Sequence, residues 1–199
     1  MLNFEDYVKA CYDHLTAKTS SGQSYYSIVN VLEVEKTKTK ITETIKEAYE
    51  ENIISKSEFE AMKPDDKVVG RFYCNFKVHK AHKNNELPPE RPIVSQSGSI
   101  CENIAAFVEH HIHHIGNKHK SFIQDTPDFL RTIERINNGQ QLKPNSVLFT
   151  MDAKGLFTNI MHEEGLKTMH DALSKRTNPK VPKKCLVKLM KCFTLQQYF

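Results

Sequence analysis

Hydrophobic residues recur along this chain at two spacings, which together predict a protein of mixed helix and strand. Near the start they recur every three or four positions, as on one face of a helix, at Phe4, Val8, Cys11 and Leu15. Asn3 stands where the N-cap of that helix belongs. Ser55 and Glu58 have the spacing of a capping box, which predicts that a short helix begins there and ends before Pro64.

The same spacing predicts further helices, over about 37–51, 99–115, 126–139, 162–174 and 182–197. Thr126 is the predicted N-cap of the helix over 126–139, with Pro127 at its first position. The predicted core face of that helix consists of Phe129, Leu130, Ile133 and Ile136.

Three segments have the pattern of strands instead. Residues 71–80 and 91–95 flank a polar, proline-containing loop, which predicts an antiparallel hairpin at about 70–95. Residues 146–151 form a continuous apolar run that ends at Asp152, which predicts a buried central strand.

Composition agrees with an ordinary folded protein. The 199 residues are 39% hydrophobic and 26% charged, no apolar stretch reaches a membrane-spanning length of about eighteen residues, and the first residues have no secretory pattern. The five cysteines form no C-x-x-C pair, which favours reduced thiols. We therefore expect an intracellular protein, nuclear or cytoplasmic, that is neither secreted nor bound within a membrane.

Charge is distributed unevenly along the chain. The net charge is −4 over residues 1–62, +3 over 63–120 and +5 over 121–199. The stretch from Lys67 to Asn85 contains no acidic residue. Its positively charged residues are Lys67, Arg71, Lys77, Lys80 and Lys83. Such a stretch would attract phosphates, although a solvated basic loop would have the same composition.

Asp152 has a pattern that suits metal chemistry. A buried strand fixes the backbone, and a carboxylate at its end can hold a divalent cation. Phosphoryl transfer commonly uses two such cations about 4 Å apart, which one carboxylate cannot hold. An Asp after a strand is also a common turn former or helix cap. The four histidines of 110–114 share a predicted helix, but no Cys or carboxylate is placed to complete a closed zinc site with them.

Four segments in order resemble Penelope-like retroelement reverse transcriptases. Asp152-Ala-Lys-Gly-Leu-Phe-Thr-Asn-Ile160, followed by His162-Glu-Glu-Gly165, is similar to the first palm motif of that family. Upstream, Arg71-Phe-Tyr73 with Lys77-Val-His-Lys80, the run Arg91-Pro-Ile-Val-Ser95, and Ser121 to Thr126 with the Phe129-Leu130 pair resemble its fingers motifs and helical connection. The resemblance covers at least residues 70–199.

The resemblance implies an α+β fold with reverse-transcriptase-like fingers and a partial palm. It implies a helical N-terminal region at 1–66, a fingers-like region at 67–145 that contains the hairpin, and a partial palm at 146–199 with one central strand. The intact protein would be an RNA-directed DNA polymerase. Its partners would be an RNA template, a DNA primer and deoxynucleotide triphosphates, with Mg²⁺ as cofactor in a two-metal nucleotidyl transfer.

Each candidate site residue takes its role from the same resemblance. Asp152 would be a catalytic metal ligand with the Ala153 carbonyl beside it, and the ring of Phe157 would exclude a 2′-hydroxyl. Arg91 and one of Lys77 or Lys80 would bind the triphosphate. Strand alternation favours Lys77, because Phe76 and Val78 are expected on the core side.

The chain also departs from the family pattern. Gly155 replaces the usual Ser, Cys74-Asn-Phe76 precedes Lys77 where Leu-Pro is expected, and no paired aspartates follow Asp152. The sequence therefore suggests a polymerase fragment that is inactive alone. The alternative is a nucleic-acid-binding or structural protein derived from a degenerate reverse-transcriptase domain.

Overall fold

The computed structural model describes residues 3–18, 21–24, 26–28, 30–79, 87–139, 145–147, 149–153, 160–177 and 179–194. Within these ranges it contains seven helices and one antiparallel pair of strands, so the predicted α+β composition is confirmed. The helices are α1 (Phe4–Thr16), α2 (Val31–Glu50), α3 (Lys56–Met62), α4 (Glu102–Asn117), α5 (Thr126–Gly139), α6 (His162–Ser174) and α7 (Lys183–Thr194), and the strands are β1 (Arg71–Phe76) and β2 (Glu90–Ser95).

The chain divides into two compact units. One comprises Met1–Ala106 with Lys188–Phe199, and the other comprises Phe107–Val187. In the parts that the structure describes, none of the helices combines the length and apolar composition that a bilayer crossing requires.

Side-chain caps set the starts of the first three helices. The Asn3 side chain accepts the Asp6 backbone N–H at 2.7 Å, and Ser55 forms the predicted capping box with Glu58. Helix α2 begins six residues earlier than predicted, because Asn30 and Glu33 form a second capping box there. Local cap chemistry therefore decides these boundaries better than hydrophobic spacing does.

The first unit has its core around α2. Ile41, Ile45 and Ala48 are buried on one face of this helix. The buried residues from other segments of the unit include Ile54, Met62, Ile100, Ile104, Leu189 and Cys192. Polar contacts join α7 to α2: the Cys192 thiol donates to the Thr44 hydroxyl at 3.7 Å, and Lys188 pairs with Glu47.

The hairpin pairs β1 with β2 so that Arg71 lies opposite Ser95 and Phe76 opposite Glu90. The Lys77 N–H donates to the Pro89 carbonyl at 2.8 Å, which continues the ladder by one pair. Because hydrogen-bonded and non-hydrogen-bonded pairs alternate, the Cys74–Pro92 pair is of the non-hydrogen-bonded kind. Pro92 therefore fits within β2, since no ladder bond needs the N–H that it lacks.

Helix α1 packs on one face of the hairpin. The Tyr7 and Phe76 rings lie 6.0 Å apart, and the His14 and Phe72 rings stack at 5.9 Å. The Tyr7 hydroxyl accepts the Cys74 backbone N–H at 3.3 Å. The predicted core face of α1 is wrong at its N-terminal end, because Phe4 and Val8 are exposed and the packed face is rotated toward Tyr7 and His14.

The base of the hairpin is fixed to α4. The Ile100 N–H donates to the Val68 carbonyl at 2.9 Å, next to a parallel bridge between Val68 and Ser99. The Glu102 carboxylate accepts the Gly98 N–H at 3.0 Å and the Lys67 ammonium at 3.1 Å. One carboxylate thereby links the segment before β1 with the segment after β2.

The second unit departs most from the sequence predictions. The described residues of 146–151 are in neither strand nor helix, and Val147, Phe149 and Met151 are 82%, 72% and 86% exposed. The predicted central palm strand is therefore wrong for these residues. The physical reason is that a central strand needs strands beside it, and the two strands of the described chain pair with each other.

Helix α5 has the predicted apolar face but does not bury it. Phe129, Leu130 and Ile133 are exposed, and no residue of the helix is buried. Its cap is Asp125 rather than Thr126, because the Asp125 carboxylate accepts the Asp128 N–H at 2.8 Å. The buried residues on α6, α7 and the loop between them in this unit are Leu166, Leu173, Val181, Cys185 and Leu186.

Gly70 is required by the close approach of β2. A Cβ at this position would lie 2.9 Å from Val94 Cγ1 and 3.1 Å from the Ser95 carbonyl oxygen. We expect Gly70→Ala to lower the free energy of unfolding by about 1–3 kcal/mol, because the paired backbone cannot move away cheaply. Urea unfolding measures this. The control is Gly116→Ala in α4, where no atom lies within 4 Å of the added Cβ; a gain of up to about 1 kcal/mol is expected. Equal effects of the two variants would contradict the prediction.

The Glu102 link makes stability depend on acid pH. The hydrogen bond from Lys67, followed by that from the Gly98 N–H, lowers the pKa of Glu102 below its ordinary value. A carboxyl group with a lowered folded pKa stabilises the fold above its unfolded pKa, about 4.3, and that contribution is lost as the pH falls through the folded pKa.

We therefore expect Glu102→Gln to be less stable than the wild type at neutral pH, with the difference shrinking toward about pH 3. Urea unfolding across that range measures it. The control is Glu43→Gln on the exposed face of α2, which removes one carboxylate that does not form this link. The free energy of unfolding of this variant should depend on acid pH in the same way as that of the wild type. The role of the carboxylate is refuted if the free energies of unfolding of the wild type and of Glu102→Gln differ by the same amount at every pH down to about 3.

Candidate nucleic-acid interface

The hairpin has two chemically different faces because side chains alternate along each strand. Phe72, Cys74 and Phe76 lie on the inner face, which is the face that α1 covers. Residues directly opposite in an antiparallel pair share a face, so Asn75 and Arg91 lie together on the outer face. Arg91 is exposed there.

Lys77 extends the outer face by one position. Its pairing with Pro89 preserves the alternation, which places Lys77 on the face of Asn75 and Arg91. Diagonal neighbours across two strands are about 7–8 Å apart, within the span of two flexible cationic side chains. Val78 does not pack on the core as expected and is 70% exposed, because β1 ends at Phe76 and the chain turns. Lys80 lies outside the described residues.

Charge is separated between the two faces. Glu90 pairs with Phe76 on the inner face, where its carboxylate lies 4.0 Å from His14 Nδ1. In the described part of the chain, Lys77 and Arg91 take part in no ion pair with an acidic side chain. The outer face therefore presents an exposed Arg91 and a half-buried Lys77, and such a pair of cations suits phosphate binding.

Asp152 and Ala153 are both exposed and belong to no helix or strand, and Phe157 lies outside the described residues. Among the residues that the structure describes, no group of three or more His, Cys, Asp and Glu side chains is arranged to hold a metal ion. The described residues therefore do not supply the set of ligands that a two-cation site needs.

The candidate residues fall in separate units. Lys77 and Arg91 come together on the hairpin of the first unit, whereas Asp152 belongs to the second. The structure thus brings two of the predicted phosphate-binding cations onto one hairpin.

The sequence predictions missed one cluster. Tyr7, Cys11 and His14 share a face of α1 and lie against the inner face of β1 at Cys74. The signal was present in the helical spacing of 7, 11 and 14 and in the alternation of 72, 74 and 76. It was obscured because Phe4 and Val8 form a competing apolar stripe on the same helix.

Comparison with known proteins finds no relative of this chain. No protein-family model, no curated protein and no solved structure matches the chain.

Proposed function

We propose that this chain is the fingers and first palm motif of a Penelope-like reverse transcriptase. The intact polymerase would transfer deoxynucleotides from their triphosphates to a DNA primer on an RNA template. One observation carries the proposal: the half-buried Lys77 and the exposed Arg91 are diagonal neighbours on the outer face of a hairpin whose two strands are the segments that resemble the fingers motifs.

The chemistry of the two cations suits a triphosphate. The planar guanidinium of Arg91 binds two phosphate oxygens at once, whereas the Lys77 ammonium acts as a point charge. The ladder holds both backbones, so the two side chains start from fixed positions on the same face. A polyphosphate or nucleic-acid backbone crossing this face would meet both.

The remaining roles rest on the resemblance. In the intact enzyme Asp152 and the Ala153 carbonyl would contribute to a Mg²⁺ site, Phe157 would select deoxynucleotides, and Lys80 would be the alternative to Lys77. Asp152 alone does not make that site, so the chain by itself is proposed to be inactive. A polymerase acting on RNA and DNA would work in the nucleus or cytoplasm.

The second candidate is a nucleic-acid-binding or structural protein derived from a degenerate reverse-transcriptase domain. This second candidate is favoured by the exposure of Val147, Phe149 and Met151, because the described residues before Asp152 do not form the predicted strand. The transcript sequence beyond Phe199 distinguishes the two. A Gly-rich motif followed by paired aspartates would favour the polymerase.

We expect the 199-residue chain to give no primer extension on an RNA template with Mg²⁺ or Mn²⁺, because a single carboxylate cannot hold two cations. Gel analysis of a labelled primer with all four deoxynucleotide triphosphates measures this. An active reverse transcriptase serves as positive control and Asp152→Asn as the matched variant. Extension by the wild type that Asp152→Asn abolishes would refute the inactivity.

We expect the chain to bind an RNA–DNA hybrid weakly, with an affinity that falls steeply with salt. Each phosphate contact contributes a slope of about 0.7–0.9 in log K against log salt. Changing Lys77 and Arg91 together to Ala should therefore reduce the slope by about two. Fluorescence anisotropy of a labelled hybrid across a salt series measures both slopes.

The matched control is Lys36→Ala with Lys56→Ala, which removes two exposed cations from α2 and α3. It should change the slope less than the hairpin variant does. If the two double variants have equal slopes, binding reflects overall charge and the hairpin has no special role. No binding at low salt would reject a surviving nucleic-acid interface.

A further inference from the structure

Helix α1 and strand β1 run in opposite directions where they pack. Tyr7 lies against Phe76, and His14, seven residues later, lies against Phe72, four residues earlier on the strand. These two ring contacts fix the register between helix and strand at both ends.

Cys11 and Cys74 lie between those two contacts. Cys11 is about 6 Å along the helix from Tyr7, at about 1.5 Å per residue. Cys74 is about 6.6 Å along the strand from Phe76, at about 3.3 Å per residue. Helical spacing puts Cys11 on the face of Tyr7 and His14, and alternation puts Cys74 on the inner face. The register therefore sets the two sulfurs opposite each other.

The local contacts agree with that register. Burial raises the pKa of the Tyr7 hydroxyl and of the Cys74 thiol, and the neighbouring Cys11 side chain raises both further. The same Tyr7 hydroxyl accepts the Cys74 backbone N–H at 3.3 Å. Both cysteines are free thiols in the structure.

The two thiols differ in exposure. Cys11 is half-buried, whereas Cys74 is only 4% exposed. Burial, followed by the neighbouring Cys11 thiol, raises the pKa of Cys74 to about 12. An oxidant in solution therefore meets Cys11 first, and Cys74 is held within reach as the second thiol.

We propose that Cys11 and Cys74 are a redox pair that closes to a disulfide when the folded chain reacts with a peroxide. The Cys11 thiolate attacks one peroxide oxygen, the O–O bond breaks, and water leaves after protonation, which makes Cys11 a sulfenic acid. The Cys74 sulfur then attacks the Cys11 sulfur. The S–S bond forms, the S–O bond breaks, and the departing hydroxide takes the Cys74 proton as water. Two thiols and one peroxide thus give one disulfide and two waters.

The product would tie α1 to the middle of β1 and close the loop from residue 11 to residue 74. Such a cross-link restricts the unfolded chain, so the oxidised protein should melt at a higher temperature than the reduced protein. The proposal stands on the packing of α1 against the hairpin and does not depend on the proposed polymerase ancestry.

The test treats the full chain with excess hydrogen peroxide under native conditions, removes the oxidant with catalase, and alkylates the remaining thiols after denaturation. Mass spectrometry of the digest should show a linked Cys11–Cys74 peptide and the loss of two of the five thiols. Dithiothreitol should restore both. Cys101, Cys185 and Cys192 are buried and should stay alkylatable as internal comparators.

Two controls separate geometry from general reactivity. Cys11→Ser changes a half-buried position and should abolish the linked peptide while Cys74 remains alkylatable. Oxidation in urea should give mixed pairings in place of the single native one. The proposal is overturned if Cys11 stops at the sulfenic acid with Cys74 still alkylatable. It is also overturned if another pair forms instead, or if urea yields the same single link.

Discussion

The hairpin depends on a cover, because two strands alone have too little buried surface to be stable in water. Helix α1 provides that cover through Tyr7 and His14. The pleat of the strands then determines which side chains lie on the opposite face. Since alternate residues point to opposite faces, packing Phe72 and Phe76 against α1 leaves the other set of side chains outside. A register shift of one residue in β2 would exchange the faces of Glu90 and its neighbour Arg91. Packing on one face thus fixes the electrostatic character of the other.

Features that depend on a few neighbouring residues could be predicted from the sequence. Asn3 and Ser55 act as caps because the hydrogen bonds that they form are local and need no tertiary partner. The hairpin was predictable for a similar reason, since two β-type runs around a turn-rich segment specify their own partner. Pro92, which alone would argue against a strand, is accommodated because the pairing leaves its nitrogen outside the ladder.

Features that depend on distant partners could not be predicted in the same way. The sequence of α1 contains two possible packing stripes, and the hairpin selects the one with aromatic and polar groups that match β1. Helix α5 has the predicted apolar stripe, yet Phe129 and Leu130 on that stripe are exposed. Periodicity predicts which face of a helix is apolar, but it does not predict whether another segment packs against that face. The cationic pair Lys77 and Arg91 was predictable as a pair only because the hairpin was.

The apolar run before Asp152 shows that a sequence motif forms a metal site only where packing holds its backbone in place. Continuous apolar runs of this kind suit strands that are buried on both faces, and burial is what would hold the following carboxylate in place. Here Phe149 and Met151 remain in contact with solvent, so the backbone under Asp152 is not fixed by packing. A metal site requires ligands positioned within fractions of an ångström, and an exposed carboxylate outside any helix or strand does not meet that requirement. The hairpin cations need no such preorganisation, because they attract phosphates at longer range from a backbone that the ladder already fixes. The proposed phosphate binding therefore needs no further strands, whereas the proposed nucleotidyl transfer would need them.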